Sequence, residues 1–165
     1  MQFSAQEEYG LRCLLRLEVA GSGKSATLAE ISQAEGISVP YAAKMMRLLR
    51  EGGLVTSARG QAGGYRLARP PENISVGEAL AVLGGRLFEG KFCDDHSGSE
   101  DTCTHSIDCS IRSLWRAVQE VVDRLLSKTT IKDLATSERQ MDSFVQDLVL
   151  LTGNMNENRP GARLG

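Results

Sequence analysis

The stretch TLAEISQAEGISVPYAAKMMRLLREGGLVTSARGQAGGYRLAR, residues 27–69, decides the fold. In its first part, Leu28 and Ile31 share one helical face, and the run stops at Gly36, a residue that accepts the positive φ of a tight turn. Ile37 follows, then Ser38 as a helix cap and Pro40 in the first turn, where the missing N–H is harmless. The spacing predicts a second helix, Pro40 to Arg50, with Ala43, Met46 and Leu49 inward and Tyr41, Lys44, Arg47 and Arg50 outward. Helix, glycine turn and capped basic helix form the helix-turn-helix pattern, although a generic helical hairpin reads similarly. The next residues separate the two. Leu54–Ser57 and Tyr65–Ala68 read as strands joined by the glycine-rich tip Arg59–Gly64. A two-stranded hairpin is unstable alone, so it must pack on the helices as a wing. The predicted class is mainly α: a winged helix-turn-helix with a long C-terminal dimerisation helix.

Working outward, Ser4 and Glu7 suit a capping box, and Leu11, Leu14, Leu15 and Val19 follow at helical spacing until Gly21-Ser22-Gly23. Cys13 in that run reads as a small buried hydrophobe. Gly23-Lys24-Ser25 resembles the end of a phosphate-binding loop, but Glu18 stands where its first glycine belongs and no strand precedes it. After Pro70-Pro71, the segment Ser75–Leu83 reads as a short helix with a second capping box, Ser75 and Glu78. Residues 84–109 hold few large apolar side chains. From Ser110, residues Ile111, Leu114, Val118, Val121 and Leu125 form a coiled-coil-like seam widened by Trp115 and Val122. Too short to stand alone, this seam calls for a partner, most simply its own copy in a two-fold dimer, the alternative being the same chain's winged domain. Thr130–Leu134 starts another short helix, and Met141, Phe144, Val145, Leu148 and Val149 form a further apolar face. The expected organisation is 1–83 winged DNA-binding domain, 84–109 cysteine-bearing loop, 110–152 dimerisation and C-terminal helices, and 153–165 disordered tail.

Composition narrows the function. With 165 residues, 41% of them apolar and 24% charged, the chain supports about one domain. Aromatics at 5% are too few for a platform that stacks many bases of a single strand. The net charge is −2, yet Lys44, Arg47, Arg50, Arg59, Arg66 and Arg69 crowd one region opposed only by Glu51. That is a polyanion-binding footprint, or else an ordinary solvated basic face. No apolar run is long enough for a membrane span, and the first residues lack the pattern of a secretion signal, so a cytoplasmic location is expected. An enzyme is not expected: the chain shows no CxxC, no nucleophile–base–orienter set and no nucleotide loop. Neither a membrane nor a small-molecule substrate is an expected partner.

Cys93, Cys103 and Cys109 fall within seventeen residues, separated by nine and five residues. Classical zinc knuckles use closer pairs. Three thiolates and a fourth ligand suit zinc or an iron–sulfur cluster, the wide spacing favouring the cluster; a thiol redox switch or three incidental thiols are the alternatives. Lys91 and Arg112 flank the segment and favour thiolates, opposed by Asp94, Asp95, Asp101 and Asp108. His96 and His105 are candidate fourth ligands or plain surface histidines.

These features together resemble the Rrf2 family of bacterial transcription regulators over about residues 1–135. The resemblance rests on several motifs: Ser38-x-x-Tyr41, Leu54-Val55-x-Ser57-x-Arg59-Gly60-x-x-Gly63-Gly64-Tyr65, Val76-Gly77-Glu78, the three cysteines, and Leu114-Trp115-Arg116. It implies a winged-helix homodimer with crossed long helices and a cluster near the dimer interface. It also implies binding to double-stranded operator DNA that depends on the cluster. The family's biogenesis regulator takes a histidine ligand three residues after its third cysteine; here Arg112 stands there and cannot ligate iron. The nitric-oxide-sensing branch uses a carboxylate at the start of the first helix from the other subunit, which maps onto Glu8, with His105 and Glu7 as the other candidates. A carboxylate is a more exchangeable donor than a thiolate. Three cysteines and a carboxylate favour [4Fe–4S], with [2Fe–2S] open because the Cys93–Cys103 gap is longer than in those relatives. On this reading Tyr41 and Lys44 face major-groove base edges or their backbone, Ser38 and Arg47 hold phosphates, and Arg59 enters the minor groove. The chain then acts as a repressor. The alternative is a winged-helix regulator of the same family with structural zinc or no metal, responding to a metabolite or partner protein.

Overall fold

The computed structural model describes residues 4–21, 23–58, 63–84 and 108–154. Helix α1 spans Ala5–Val19 and opens on the expected capping box: Ser4 Oγ accepts from the Glu7 N–H, and the Glu7 carboxylate accepts from the Ser4 N–H at 2.6 Å. Its buried face is Gly10, Cys13, Leu14 and Leu17. Val19 is instead 68% exposed, and Leu11 and Leu15 are half-buried. The expected stripe is thus rotated. The cause is packing against α2 (Leu28–Glu35), α3 (Val39–Glu51) and α4 (Val76–Leu83) together. A Cβ at Gly10 would collide with Leu83, so glycine there admits α4 close to α1.

Thr27 closes a capping box with Glu30 at the start of α2, and Gly36 ends that helix at φ 64°. Ser38 caps α3 by accepting from the Tyr41 N–H, with proline in the first turn. The buried residues of α3 are Ala42, Met45, Met46 and Leu49. Ala43 is only half-buried, contrary to its expected inward role, because α3 touches α1, α2, α4 and the first strand and needs a broad inner face centred one residue earlier.

Strand β1 (Val55–Ala58) pairs antiparallel with β2 (Gly64–Leu67), Val55 opposite Leu67 and Ser57 opposite Tyr65. Ala26 and Tyr65 exchange two backbone hydrogen bonds of 2.8 and 2.9 Å, which add a one-residue third strand. Gly64 makes this possible, since a Cβ there would lie 2.5 Å from the Ala26 carbonyl oxygen. A 3-10 turn (Pro71–Asn73) leads into α4. Ser75 caps α4 through the Glu78 N–H, but the second capping box is only half formed: Arg69 takes the Glu78 carboxylate at 2.5 Å.

Helix α5 (Ser110–Lys128), the short α6 (Ile131–Leu134) and α7 (Glu138–Asn154) complete the described chain. The C-terminal end of α5 is sewn to the winged domain. Val76 N–H donates to the Thr129 carbonyl at 2.8 Å, Ile131 N–H donates to the Ile74 carbonyl at 2.9 Å, and Ile131 is fully buried. At its N-terminal end, Ile111 is 61% exposed, Leu114 58% and Trp115 39%, with Val121 at 64%. No helix among the described residues is long and apolar enough to cross a membrane. The architecture is a mainly helical winged helix-turn-helix.

Candidate nucleic-acid interface

Helix α3 is presented by a rigid support. The Ser32 hydroxyl donates to the Ile37 carbonyl at 2.6 Å and fixes the turn between α2 and α3. Arg12 of α1 donates to the Glu35 carboxylate at 2.9 Å and to the Glu35 backbone carbonyl at 3.0 Å, so one guanidinium holds the C-terminal end of α2. That hydrogen bond with Glu35 raises the Arg12 pKa against a small opposing effect of burial. Glu30 is shifted down by the backbone and hydroxyl hydrogen bonds it accepts from Thr27.

The outward face of α3 is polar, as the sequence predicts. Lys44, Arg47 and Arg50 are exposed, and Ser38 is exposed at the cap with its hydroxyl proton still available to donate. Tyr41 is half-buried. Its ring meets Tyr9 edge-on at 5.8 Å and 89°, with the Lys44 ammonium 6.0 Å from its centroid. Arg12 in turn lies 5.2 Å from the Tyr9 ring centroid. Tyr9, Arg12 and Glu35 thus position Tyr41 and α2, and the sequence reading missed all three. The only available signal was an aromatic and an arginine one turn apart on α1.

The basic footprint is thinner than the residue types suggest. Arg47 pairs with Glu51 at 3.0 Å, an exposed i,i+4 contact, and Arg69 pairs with Glu78. Exposed pairs are worth only about 0.2–1 kcal/mol, so a phosphate competes well for Arg47. Arg59, expected at the wing tip, lies outside the described residues.

Of the proposed ligand set, Cys93 and Cys103 lie outside the described residues, as do Lys91, His96 and His105. Cys109 is half-buried at the N-cap of α5, its Sγ accepting from the Arg112 N–H at 3.3 Å. Glu8 is exposed in the first turn of α1, and its carboxylate makes no hydrogen bond among the described residues. Glu7, by contrast, is occupied by Ser4. Gln6 donates to the Leu83 carbonyl, and a Cβ at Gly84 would strike the Glu7 carboxylate. The first turn of α1 therefore abuts the residue from which segment 85–107 departs, and that segment re-enters at the Cys109 cap. Among the described residues no three His, Cys, Asp or Glu side chains converge. Of the expected donors, the described residues hold a thiol at a helix cap and an exposed carboxylate, residue types able to ligate iron.

Comparison with known proteins agrees with this geometry. The family model for Rrf2, described as an iron-dependent transcriptional regulator, matches residues 3–137. The chain is 33% identical over 134 residues to the protein rrf2 of Nitratidesulfovibrio vulgaris, covering 81% of this chain and 87% of that one. It is 29% identical over 168 residues to the regulator IscR of Vibrio parahaemolyticus, covering 100% of this chain and 97% of that one. Among solved structures, CymR, the global cysteine regulator of B. subtilis, superposes with a TM-score of 0.66 at 30% identity over 82% of this chain and 96% of that one. The T. potens IscR structure gives 0.64 at 30% identity over 81% and 85%.

Proposed function

Because the chain belongs to the Rrf2 family of DNA-binding transcriptional regulators, we propose that it is a cytoplasmic homodimeric repressor whose operator affinity is gated by an iron–sulfur cluster. The relatives are regulators rather than enzymes. The observation that carries the finer reading is α5. Its N-terminal half starts on Cys109 and, among the described residues, leaves Ile111, Leu114 and part of Trp115 exposed, while its C-terminal end is hydrogen-bonded into the winged domain. An apolar face of that kind fits a second copy, and two-fold symmetry then sets the spacing of two α3 helices along a pseudo-palindromic duplex.

In this reading Cys93, Cys103 and Cys109 of one protomer and Glu8 of the other hold the cluster, [4Fe–4S] favoured over [2Fe–2S]. When bound, it supplies iron that changes redox state and exchanges its weakest ligand. The chain does the rest. Engaging Cys109 would fix the first turn of α5, and engaging Glu8 would do the same at the first turn of α1, one residue before Tyr9 and its contact with Tyr41. A difference of about 1.4 kcal/mol between states changes operator affinity tenfold. On DNA, Tyr41 and Lys44 read or approach base edges, Ser38 and Arg47 take phosphates and Arg59 enters the minor groove. Arg59→Ala should weaken operator binding far more than it disturbs folding.

The deciding experiment is anaerobic purification with visible absorption, iron and acid-labile sulfide measured per chain. Matched iron and sulfide in a brown protein support the cluster, and loss of colour stability in Glu8→Ala supports the fourth ligand. A protein that stays colourless after reconstitution overturns the gating. The likeness to CymR, named for cysteine regulation, favours a second reading in that event: the same DNA-binding regulator with structural zinc or no metal, answering a metabolite or partner protein.

A further inference from the structure

A groove of about 330 Å³ runs between the C-terminal end of α1 and the base of the wing. Tyr65 packs against the core, so strand alternation turns its neighbour Arg66, and Thr56 opposite it, to the outer face. Pro70 and Pro71 give the groove an apolar wall, with Leu17 buried beneath it, and Lys24 and Arg66 stand on its rim. On the α1 side the lining includes Gly21 and Gly23, at φ 97° and 81°. Arg69 also lines the groove but is held by Glu78. Lys24 and Arg66, by contrast, make no side-chain ion pair or hydrogen bond among the described residues, which leaves two cations beside a recess of mixed polarity with a proline wall.

We propose that this groove binds a small organic acid, one carboxylate on a compact apolar body, and that the bound acid tunes operator affinity through the wing. Three features select that class. The volume lies at the small end of ligand pockets. Pro70 and Pro71 offer surface to an apolar body but nothing to a duplex backbone, which presents only sugars and phosphates. Glu18, on the same lining, repels a second negative group and so disfavours both a phosphate chain and a dicarboxylate. Thr56 adds a hydroxyl for orientation. An acid bridging Lys24 and Arg66 ties the turn after α1 to β2, the strand that carries the wing tip at residues 59–62. The binding step depends on neither the cluster nor the dimer; only its effect on the operator rests on the DNA-binding reading.

Saturation-transfer NMR on the full chain as purified tests it, with benzoate as the probe and benzamide as its uncharged twin. The expected result is saturable benzoate binding with a Kd on the order of 1 mM, weakened at least about tenfold for benzamide and for Lys24→Ala/Arg66→Ala. Lys132→Ala, another exposed cation removed, should bind as the parent does. Saturating benzoate should change operator affinity by about fivefold or more in the parent and not in the double variant. Equal binding of benzamide, or no saturable signal, overturns the proposal. If benzoate is silent while Lys24→Ala/Arg66→Ala weakens operator binding and flattens its salt dependence, the groove belongs to the DNA backbone and the proposal is likewise overturned.

Discussion

Replacing Leu114 with alanine isolates the role of α5. In the single chain Leu114 is 58% exposed, and its neighbours on the seam, Ile111 and Val121, are 61% and 64% exposed. Full burial of such a side chain stabilises by roughly 1.5–3 kcal/mol, so the part still exposed represents about 1–1.5 kcal/mol. A two-fold axis puts both copies into one interface, doubling the effect to about 2–3 kcal/mol per substitution. The dimer dissociation constant of Leu114→Ala should therefore rise about 30- to 150-fold. Sedimentation velocity over a dilution series measures it. Because Leu114 already faces solvent in the monomer, helix content and the unfolding midpoint of the dissociated protein should stay put. Affinity for a full palindromic site should fall in parallel, while affinity for an isolated half-site should not. A dissociation constant within about threefold of the parent, or a destabilised monomer, would refute the assignment of this face to a second copy.

Three further outcomes follow from the core and the wing. Burial pushes the Cys13 thiol up to about 12 from an ordinary 9.0, so the folded state favours the neutral form; its stability is intact below about pH 9 and declines from there toward pH 12 by on the order of 1.4 kcal/mol per pH unit. Urea unfolding of parent and Cys13→Ala at pH 8 and pH 10 should show that difference, and native Cys13 should resist maleimide; a pH-independent gap contradicts the burial argument. Gly64→Val should destabilise by about 1–3 kcal/mol through overpacking against the Ala26 carbonyl, with hydrogen exchange accelerating at Ala26 and Tyr65; unchanged exchange there would mean the third strand is dispensable. Tyr9→Ala should cost about 0.5–1.5 kcal/mol beyond its lost contact area and weaken operator binding through Tyr41, whereas Tyr9→Phe should retain both; equal losses in the two would point to the hydroxyl rather than the ring.

Features set by a few neighbouring residues were readable in advance. The caps at Ser4, Ser38 and Ser75, the stop at Gly36 and the hairpin around the glycine-rich tip all depend on local backbone chemistry, and each element formed within a residue or two of its expected place. What the sequence could not reveal is decided by distant partners. Val19 belongs to an apolar helical stripe yet faces solvent, because Gly10, which reads as a weak point in a helix, is the residue that lets α4 approach. Glu78 reads as a capping-box residue but is claimed by Arg69, nine positions away in the bend after β2. The Tyr9–Tyr41 and Arg12–Glu35 contacts join separate helices and leave no periodic trace. Cysteine spacing has the same limit: it names donors without placing them, and of the four proposed ligands only Cys109 and Glu8 lie among the described residues.

The close contacts restrict how a change at the cysteine segment can reach DNA. A Cβ at Gly52 would strike Val82, locking the end of α3 against α4, and at Gly77 it would lie 3.3 Å from the Leu126 backbone, placing α4 directly on α5. Recognition helix, α4 and the C-terminal half of α5 thus form one stack with backbone-close contacts, and Arg12 fixes α2 to α1 beside it. Close-packed interiors of this kind move as bodies rather than deform. A sliding of α3 within its own domain would have to break several of these contacts at once. In the proposed dimer, changing the angle at which two α5 helices meet would break none of them, yet would displace both α3 helices, each carried with its own stack. In that proposed assembly the spacing of the two α3 helices would be the softest coordinate, and the exposed N-terminal half of α5, which begins after the Cys109 cap, would be where it is set.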